Sequence, residues 1–259
     1  MRPLLLFVLL TLLAPSPLHA QRGPVLQVIA REPLRGRGSY VALGLTGVNK
    51  PNGLEYRLRN GIPEKLPEYV PRLLDGLPIH VADATPEGWL ALYASNIDPR
   101  SDANQRYRAA LFAPDGRRRW ALELNRFLSR PRNLEIQDIR LRAGKLYFNE
   151  ACQSYSREAG GRCSALLRVD PRAARLEWRT RNLVSNNVFI FSGAYIVAGY
   201  GFTAEPDSLH LISPESGRVV ASRALDTAHS YLEERAGVLH VVTHNNVYQI
   251  SRRGTEARR

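Results

Sequence analysis

The sequence predicts an all-β fold: a β-propeller of about four to five four-stranded blades, its ring closed by an N-terminal strand. Glycines open apolar, strand-like runs at a spacing of about 50 residues, which indicates a repeat architecture. Each run is followed by a second one that ends at a tight turn, and long helical patterns are absent. Because such units cannot bury both faces alone, we expect them to stack radially as blades. The opening glycines are Gly88, Gly144, Gly193 and Gly237.

Strand-like runs divide most of the chain into three complete units and one incomplete unit. The first has strands at 79–81, 89–93, 107–113 and 119–124, the second at 134–141, 146–151, 165–169 and 175–179, the third at 188–191, 195–198, 209–212 and 218–221, and the fourth at 231–232, 238–243 and 247–250. In the second unit the alternation of apolar and polar residues shifts phase near Asp138. This shift predicts either a bulge or two short strand pieces.

The fourth unit ends before an outer strand, and residues 25–29 supply a matching apolar run. We therefore predict that these residues complete the last blade and close the ring without a covalent link. Residues 21–75 as a whole are expected to hold N-terminal strands and a proline-rich connector, forming either this closing strand or a partial blade. Residues 76–252 are assigned to the propeller repeats and 253–259 to a basic tail.

Residues 1–20 have the pattern of a removable export signal. Arg2 provides a positive start, an apolar run follows from Leu4 to Ala14, and small Ala20 stands at the expected cleavage end. The run is too short to span a bilayer, although a transmembrane anchor is the alternative interpretation. No later stretch is long and apolar enough to cross a membrane. The sequence thus predicts a secreted or periplasmic protein after removal of the signal.

The two cysteines of the chain, Cys152 and Cys163, are predicted to form a disulfide. An even cysteine count in an exported protein favours a bridge, and the segment between them is polar and glycine-rich, as in a hairpin loop. Such a bridge closes a loop of about 12 residues and stabilises the fold by about 3 kcal/mol. A metal-binding or redox-active pair is the alternative.

The chain is strongly basic, with a formal net charge of +12, and only three of its 36 basic residues are lysines. Export argues against nucleic acid as the partner. The polyanions available outside the cytoplasm are lipid headgroups, lipopolysaccharide and acidic glycans, which a basic surface attracts in a salt-dependent way. The alternative is that the arginines are dispersed surface residues without a shared ligand.

Four carboxylates near strand ends are the acidic candidates for an active site: Asp83, Asp138, Glu150 and Asp226. A glycan-cleaving enzyme needs two carboxylates facing each other across a cleft, and each of the four can equally be structural. The Gly-x-Ser-x-Gly motif of serine hydrolases is absent. We assign no catalytic, cofactor-binding or metal-binding residue.

Two other patterns suggest metal ligands. His240 and His244 are four residues apart, but a strand would separate them by about 13 Å, too far for one ion. Residues 98–104 carry oxygen donors at alternate positions, as calcium-binding loops do, with a solvated loop as the alternative.

Three segments resemble the repeat of quinoprotein-like (PQQ-like) β-propellers, in which an apolar strand, an acidic residue and a short turn precede a second strand, often with Trp. The segments are 111–120, 166–178 and 211–220, and the resemblance covers roughly residues 76–251. It implies the propeller fold and the scaffold role of non-catalytic members. The acidic cofactor site and adjacent cysteine pair of the quinone enzymes have no counterpart in this sequence.

Together these features predict an exported, non-enzymatic scaffold without a cofactor that binds a protein or an anionic envelope component. The alternative is a secreted glycan-active hydrolase or lyase with carboxylates in the propeller funnel. The identity of the partner and the oligomeric state are left open.

Overall fold

A computed structural model describes residues 23–34, 57–58, 66–95, 105–129, 134–202 and 205–253. The export signal predicted at 1–20, the segment 98–104 and residues 254–259 of the basic tail lie outside this part. The described residues form strands and two short 3-10 turns, Asn125–Phe127 and Ser156–Ala159. The strands are β1 (Val25–Pro33), β2 (Arg57–Leu58), β3 (Leu73–Leu74), β4 (Leu77–Thr85), β5 (Gly88–Ala94), β6 (Tyr107–Phe112), β7 (Arg118–Glu123), β8 (Leu134–Glu135), β9 (Ile139–Arg142), β10 (Lys145–Cys152), β11 (Ala165–Asp170), β12 (Arg175–Arg179), β13 (Asn186–Ser192), β14 (Tyr195–Tyr200), β15 (Asp207–Ile212), β16 (Val219–Leu225), β17 (His229–Arg235), β18 (Val238–Thr243) and β19 (Asn246–Arg253).

The strands form four sheets that follow one another along the chain. Sheet I has the order β4-β5-β6-β7, with β2 and β3 also paired to β4. In sheet II, β8 and β9 both pair with β10, which continues to β11 and β12. Sheet III is β13-β14-β15-β16, and sheet IV is β17-β18-β19-β1. The all-β prediction is confirmed, and a series of four-stranded antiparallel sheets is consistent with a propeller-like fold.

The repeated glycines stand at the turn between the first and second strands of each sheet. Gly144 and Gly237 have φ of 70° and 78°, and the residues before them, Ala143 and Ala236, also have positive φ. Two successive positive φ values define the tight hairpin turn that matches the twist of antiparallel strands. The glycine period therefore marks one hairpin per sheet and opens its second strand.

The first strand of every sheet is irregular. The pairing shifts between Ile79 and Val81 in sheet I, between Asn186 and Ile190 in sheet III, and between His229 and Tyr231 in sheet IV. In sheet II the strand is divided into β8 and β9, which confirms the prediction of two pieces around Asp138. The phase shift visible in one unit is thus a feature of all four described sheets.

The fourth strand of every sheet carries a bulge of one residue. The pairing passes over Arg119 in β7, Glu177 in β12, Val220 in β16 and Ile29 in β1. Bulges bend an outer strand and make its free edge a poor template for further pairing. The N-terminal strand therefore has the same irregularity as the other outer strands, and its predicted pairing with the last unit is confirmed.

The hydrophobic core lies between successive sheets. Leu92 and Phe148 pack between sheets I and II, Tyr147 and Ile196 between sheets II and III, and buried residues of β15, β18 and β19 between sheets III and IV. Residues 66–74 of the proline-rich connector cover the other face of sheet I. In the described part of the chain, no helix has the length and hydropathy needed to cross a membrane.

Candidate functional site

A groove opens between sheets II and III, beside their outer strands β12 and β16. Its volume is about 610 Å³, and it is lined by residues 179–181 of sheet II and by residues 216–222 of sheet III. β12 has five residues, whereas β7, β16 and β1 have six, seven and nine. β12 is thus the shortest of the four outer strands, and we call the space beside it the arginine groove.

The charge of the groove comes from Arg179, Arg181 and Arg218. Arg179 forms an ion pair with the fully buried carboxylate of Glu150, so its charge is balanced within the protein. Arg181 and Arg218 are exposed on opposite walls, and neither forms an ion pair with any residue that the structure describes. Two uncompensated guanidinium groups therefore give the groove a positive potential.

A buried histidine holds one hydroxyl group on the groove wall. His210 Nδ1 lies 2.8 Å from the Ser222 hydroxyl, while its Nε2 has no hydrogen-bond partner among the described residues. Burial, together with the charge of Arg181, lowers the pKa of His210 to about 4. The imidazole is therefore neutral at neutral pH, and the positive charge of the groove comes from its arginines alone.

The other lining residues are apolar or have hydroxyl groups that bond to the backbone. Val220, the bulged residue of β16, is 39% exposed, and Val219 and Ala221 flank it. The Thr180 hydroxyl accepts a hydrogen bond from the Leu166 amide at 3.0 Å and donates to the carbonyl of Arg181 at 2.8 Å. The groove thus combines positive charge, hydroxyl groups and an apolar strip.

A tight contact fixes one end of the groove. A Cβ added at Gly217 would lie 2.7 Å from the Trp178 ring, and Gly217 has a φ of 69°. Trp178 Nε1 donates to the carbonyl of Pro214 at 2.9 Å, and Arg168 Nη1 donates to the same oxygen at 2.6 Å. Sheet II therefore holds the turn before β16 in a defined position.

The four carboxylates predicted as active-site candidates have different surroundings. Glu150 accepts hydrogen bonds from the backbone amide of Ser129 at 2.9 Å and from its hydroxyl at 3.0 Å, besides pairing with Arg179. Burial raises the pKa of Glu150, and these donors oppose the rise. This carboxylate lies behind the arginine groove and supports its wall.

The other three candidates lie at separate places. Asp138 accepts a hydrogen bond from the Phe189 amide at 2.9 Å, across the contact of sheets II and III. Asp83 is a buried residue of β4 in sheet I. Asp226 follows β16 and forms an ion pair with Arg31 of β1. Asp138 lies between β8 and β9, and Glu150 lies on β10. The two carboxylates contact different partners, Phe189 for Asp138 and Ser129 and Arg179 for Glu150.

Polar side chains connect sheets II, III and IV close to their irregular first strands. Asn149 Nδ2 donates to the carbonyl of Asn187 at 2.7 Å, and Asn187 Nδ2 donates to the carbonyl of His229 at 3.0 Å. His229 Nε2 lies 2.8 Å from the carbonyl of Val188. Because a carbonyl only accepts, Nε2 carries the proton, and this network explains the fixed position of the buried His229 ring.

The predicted disulfide between Cys152 and Cys163 is present, with a Cα–Cα distance of 5.2 Å. It ties the loop between β10 and β11, and Glu205 of sheet III accepts hydrogen bonds from the amide and hydroxyl of Ser156 in this loop. A disulfide is compatible with a secreted or periplasmic location. The metal-binding alternative for these two cysteines is therefore wrong.

The histidine pair is also placed by the structure. His240 lies on β18, and His244 follows the end of that strand. Among the residues that the structure describes, no group of three or more His, Cys, Asp or Glu side chains could hold a metal ion.

Comparisons with known proteins give only distant similarities. No protein-family model and no curated protein matches the sequence. A protein of unknown function from Bacteroides caccae is similar over 66% of this chain and 58% of its own length, with 12% identity and a TM-score of 0.45. The glutaminyl cyclase of Myxococcus xanthus is similar over 88% of this chain and 97% of its own, with 12% identity and a TM-score of 0.40. These similarities are too low to transfer an activity.

The arginine groove is not evident from the sequence. The denser arginine clusters in the sequence are at 117–119 and in the C-terminal tail. A signal was present in the two arginines at 179 and 181, directly after the strand with Trp178. These two arginines lie near residues 216–222 only because sheets II and III pack together. No local sequence pattern predicts that packing.

Proposed function

We propose that this protein is an exported, non-enzymatic β-propeller scaffold whose arginine groove binds an anionic group of an envelope component. The observation that carries the proposal is the pair of uncompensated guanidinium groups, Arg181 and Arg218, on opposite walls of a concave space of about 610 Å³. Concave walls of low polarisability focus the field of such charges and raise the local concentration of anions. Guanidinium groups also bind carboxylate and phosphate oxygens with two parallel hydrogen bonds.

The groove supports binding rather than catalysis. Its hydroxyl groups belong to Ser216, Ser222 and Thr180, and Glu150, the carboxylate that pairs with Arg179 of the lining, is fully buried. A glycan-cleaving site needs two carboxylates placed across a cleft. The groove lining contains arginine, hydroxyl and aliphatic side chains but no carboxylate, which favours recognition of an anion.

The test is a titration of the mature protein with dextran sulfate, a soluble polyanion, at several salt concentrations. We expect the double variant R181A/R218A to bind at least about tenfold more weakly, with a smaller salt dependence. The matched control is R118A/R119A, which removes two exposed arginines from the outer strand of sheet I. Equal losses in both double variants would show that the overall charge, and not the groove, binds the polyanion.

We also propose that the four described sheets are propeller blades and that β1 closes the ring. β1 forms eight residue pairs with β19, carries the outer-strand bulge and contacts β16 of the neighbouring sheet. Deletion of residues 24–30 is expected to lower the melting temperature markedly, because it removes the outer strand of sheet IV. An unchanged melting temperature would overturn the closing role. Membership of the PQQ-like propeller family stays a prediction.

Export is proposed from residues 1–20 and is supported by the disulfide between Cys152 and Cys163. The expected mature N-terminus is Gln21. Mass spectrometry of the protein recovered from the cell envelope or the medium measures it directly, and an intact residue 1–20 segment in that material would contradict cleavage.

A further inference from the structure

We infer that the ligand of the arginine groove is an acidic saccharide, a sugar unit that carries a carboxylate or phosphate. This inference rests on the proposed function, because it names the chemical class of the anion for the same groove. Three structural features favour a saccharide over the other anionic partners available to an exported protein: the shape of the groove, the bulge in its wall and the composition of its lining.

The shape of the groove argues against a membrane surface. It is an open groove of about 610 Å³ between two sheets, and the lining includes residues of both. Spaces of about 300–1,000 Å³ are typical of sites for small molecules. A bilayer is flat on this scale and cannot enter a groove between two sheets. A lipid surface would instead require exposed arginines on a flat or convex face.

The bulge in β16 argues against an acidic peptide that pairs with the strand edge. β16 is the outer strand of sheet III, and its bulged residue Val220 lies within the groove wall. An added strand needs regularly spaced backbone N–H and C=O groups on the edge that it joins. A bulge interrupts this spacing and is a common protection of free edges against pairing.

The lining matches the mixed chemistry of a charged sugar. Arg181 and Arg218 are positioned for the anionic group, while the exposed hydroxyl of Ser222 is positioned for a sugar hydroxyl. The aliphatic side chain of the exposed Val220, with Val219 beside it, offers an apolar surface to the C–H groups of a pyranose ring. Because His210 fixes the Ser222 hydroxyl at 2.8 Å, this contact is organised before a ligand enters.

The experiment is calorimetric titration of the mature protein with a set of defined probes. The saccharide probes are trigalacturonate, which carries carboxylates, the uncharged trigalactose, and glucose 6-phosphate, which carries a phosphate. The competing classes are represented by a hexapeptide of alternating Glu and Val, by phosphatidylglycerol vesicles and by inorganic phosphate. Comparing the affinities for trigalacturonate and glucose 6-phosphate shows whether the groove prefers a carboxylate or a phosphate.

We expect at least one acidic saccharide to bind about tenfold or more tightly than trigalactose, inorganic phosphate and the peptide. R181A/R218A should lose this binding, and R118A/R119A should retain it. Ser222→Ala, which removes the hydroxyl that His210 holds on the groove wall, should weaken the binding of the acidic saccharide several-fold. Circular dichroism and the melting temperature of each variant confirm that it is folded.

Two results would overturn the inference while leaving the proposed function intact. In the first, the peptide or the vesicles bind through the groove and no saccharide binds. In the second, inorganic phosphate binds with the same affinity as both acidic saccharides. Failure of every anionic probe, including dextran sulfate, would overturn the inference and the proposed function together.

Discussion

At the scale of single residues, the most consequential interaction is the buried ion pair of Glu150 and Arg179. Glu150 has no exposed surface, and its two oxygens are bound by Ser129 and Arg179. A buried charge without its partner is strongly destabilising. A carboxylate selected from the sequence as a candidate for catalysis is thus held, in the structure, by contacts that stabilise the fold behind the groove.

Replacing Arg179 by Ala is expected to reduce the free energy of unfolding by about 3 kcal/mol, because it leaves the Glu150 carboxylate buried and unpaired. Urea unfolding measures this loss. Arg175→Ala is the matched control, since Arg175 lies on the same strand with an exposed side chain and should change the free energy by less than about 0.5 kcal/mol. Similar values for the two variants would contradict a structural role for the pair.

Three buried groups make stability depend on pH in opposite directions. Burial lowers the pKa of His210 and of His229 to about 4, and burial together with nearby Glu205 raises the pKa of Asp207 to about 6. As pH falls from 6.5 to 4, the histidines bind protons only in the unfolded chain, so the free energy of unfolding decreases. As pH falls from about 6 to 3.8, Asp207 binds its proton in the folded protein before it does so in the unfolded chain. This contribution increases the free energy of unfolding.

Asp207→Asn should therefore make the loss of stability between pH 7 and pH 5 steeper than in the unmodified protein. The opposing contribution of the carboxylate is removed, while both histidines still titrate. Urea midpoints at pH 7, 6 and 5 provide the measurement, and His210→Gln serves as a control that should make the loss shallower. Identical pH slopes in the unmodified protein and Asp207→Asn would contradict this assignment.

At the scale of strands and sheets, the repeated irregularities define the architecture. Each described sheet has a break in its first strand and a bulge in its fourth. The sequence revealed the break near Asp138 because the alternation of apolar and polar residues changes phase there. It did not reveal the bulge at Val220, because a bulge depends on the pairing register with β15, and exposed outer strands show little hydrophobic alternation.

The packing of sheet III against sheet IV makes a specific prediction at Gly199. A Cβ at this position would lie 2.5 Å from Nδ1 of the buried His229 ring. Gly199→Ala is expected to reduce the free energy of unfolding by about 1–3 kcal/mol through overpacking. Gly23→Ala, where no atom lies within 4 Å of the added Cβ, is the control. Equal thermal stability of the two variants in calorimetry would contradict the described packing.

At the scale of the whole molecule, the sequence suggested the proposed anionic partner but not where it would bind. The net charge of +12 pointed to anionic partners, and the cysteine count pointed to the disulfide that the structure contains. The arginine groove was not predictable, because Arg181 and Arg218 belong to different sheets and only the packing of those sheets brings them to one space. Most of the other described arginines are also exposed, including the three consecutive ones at 117–119.

The most direct test of the arginine groove is hydrogen–deuterium exchange of the mature protein with and without bound dextran sulfate. Binding in the groove should slow amide exchange at residues 179–181 and 216–222, because a bound ligand opposes the local opening that exchange requires. Residues 117–119, an exposed run of three arginines at the start of β7, should be unchanged. Protection of 117–119 without protection of the groove segments would contradict the account.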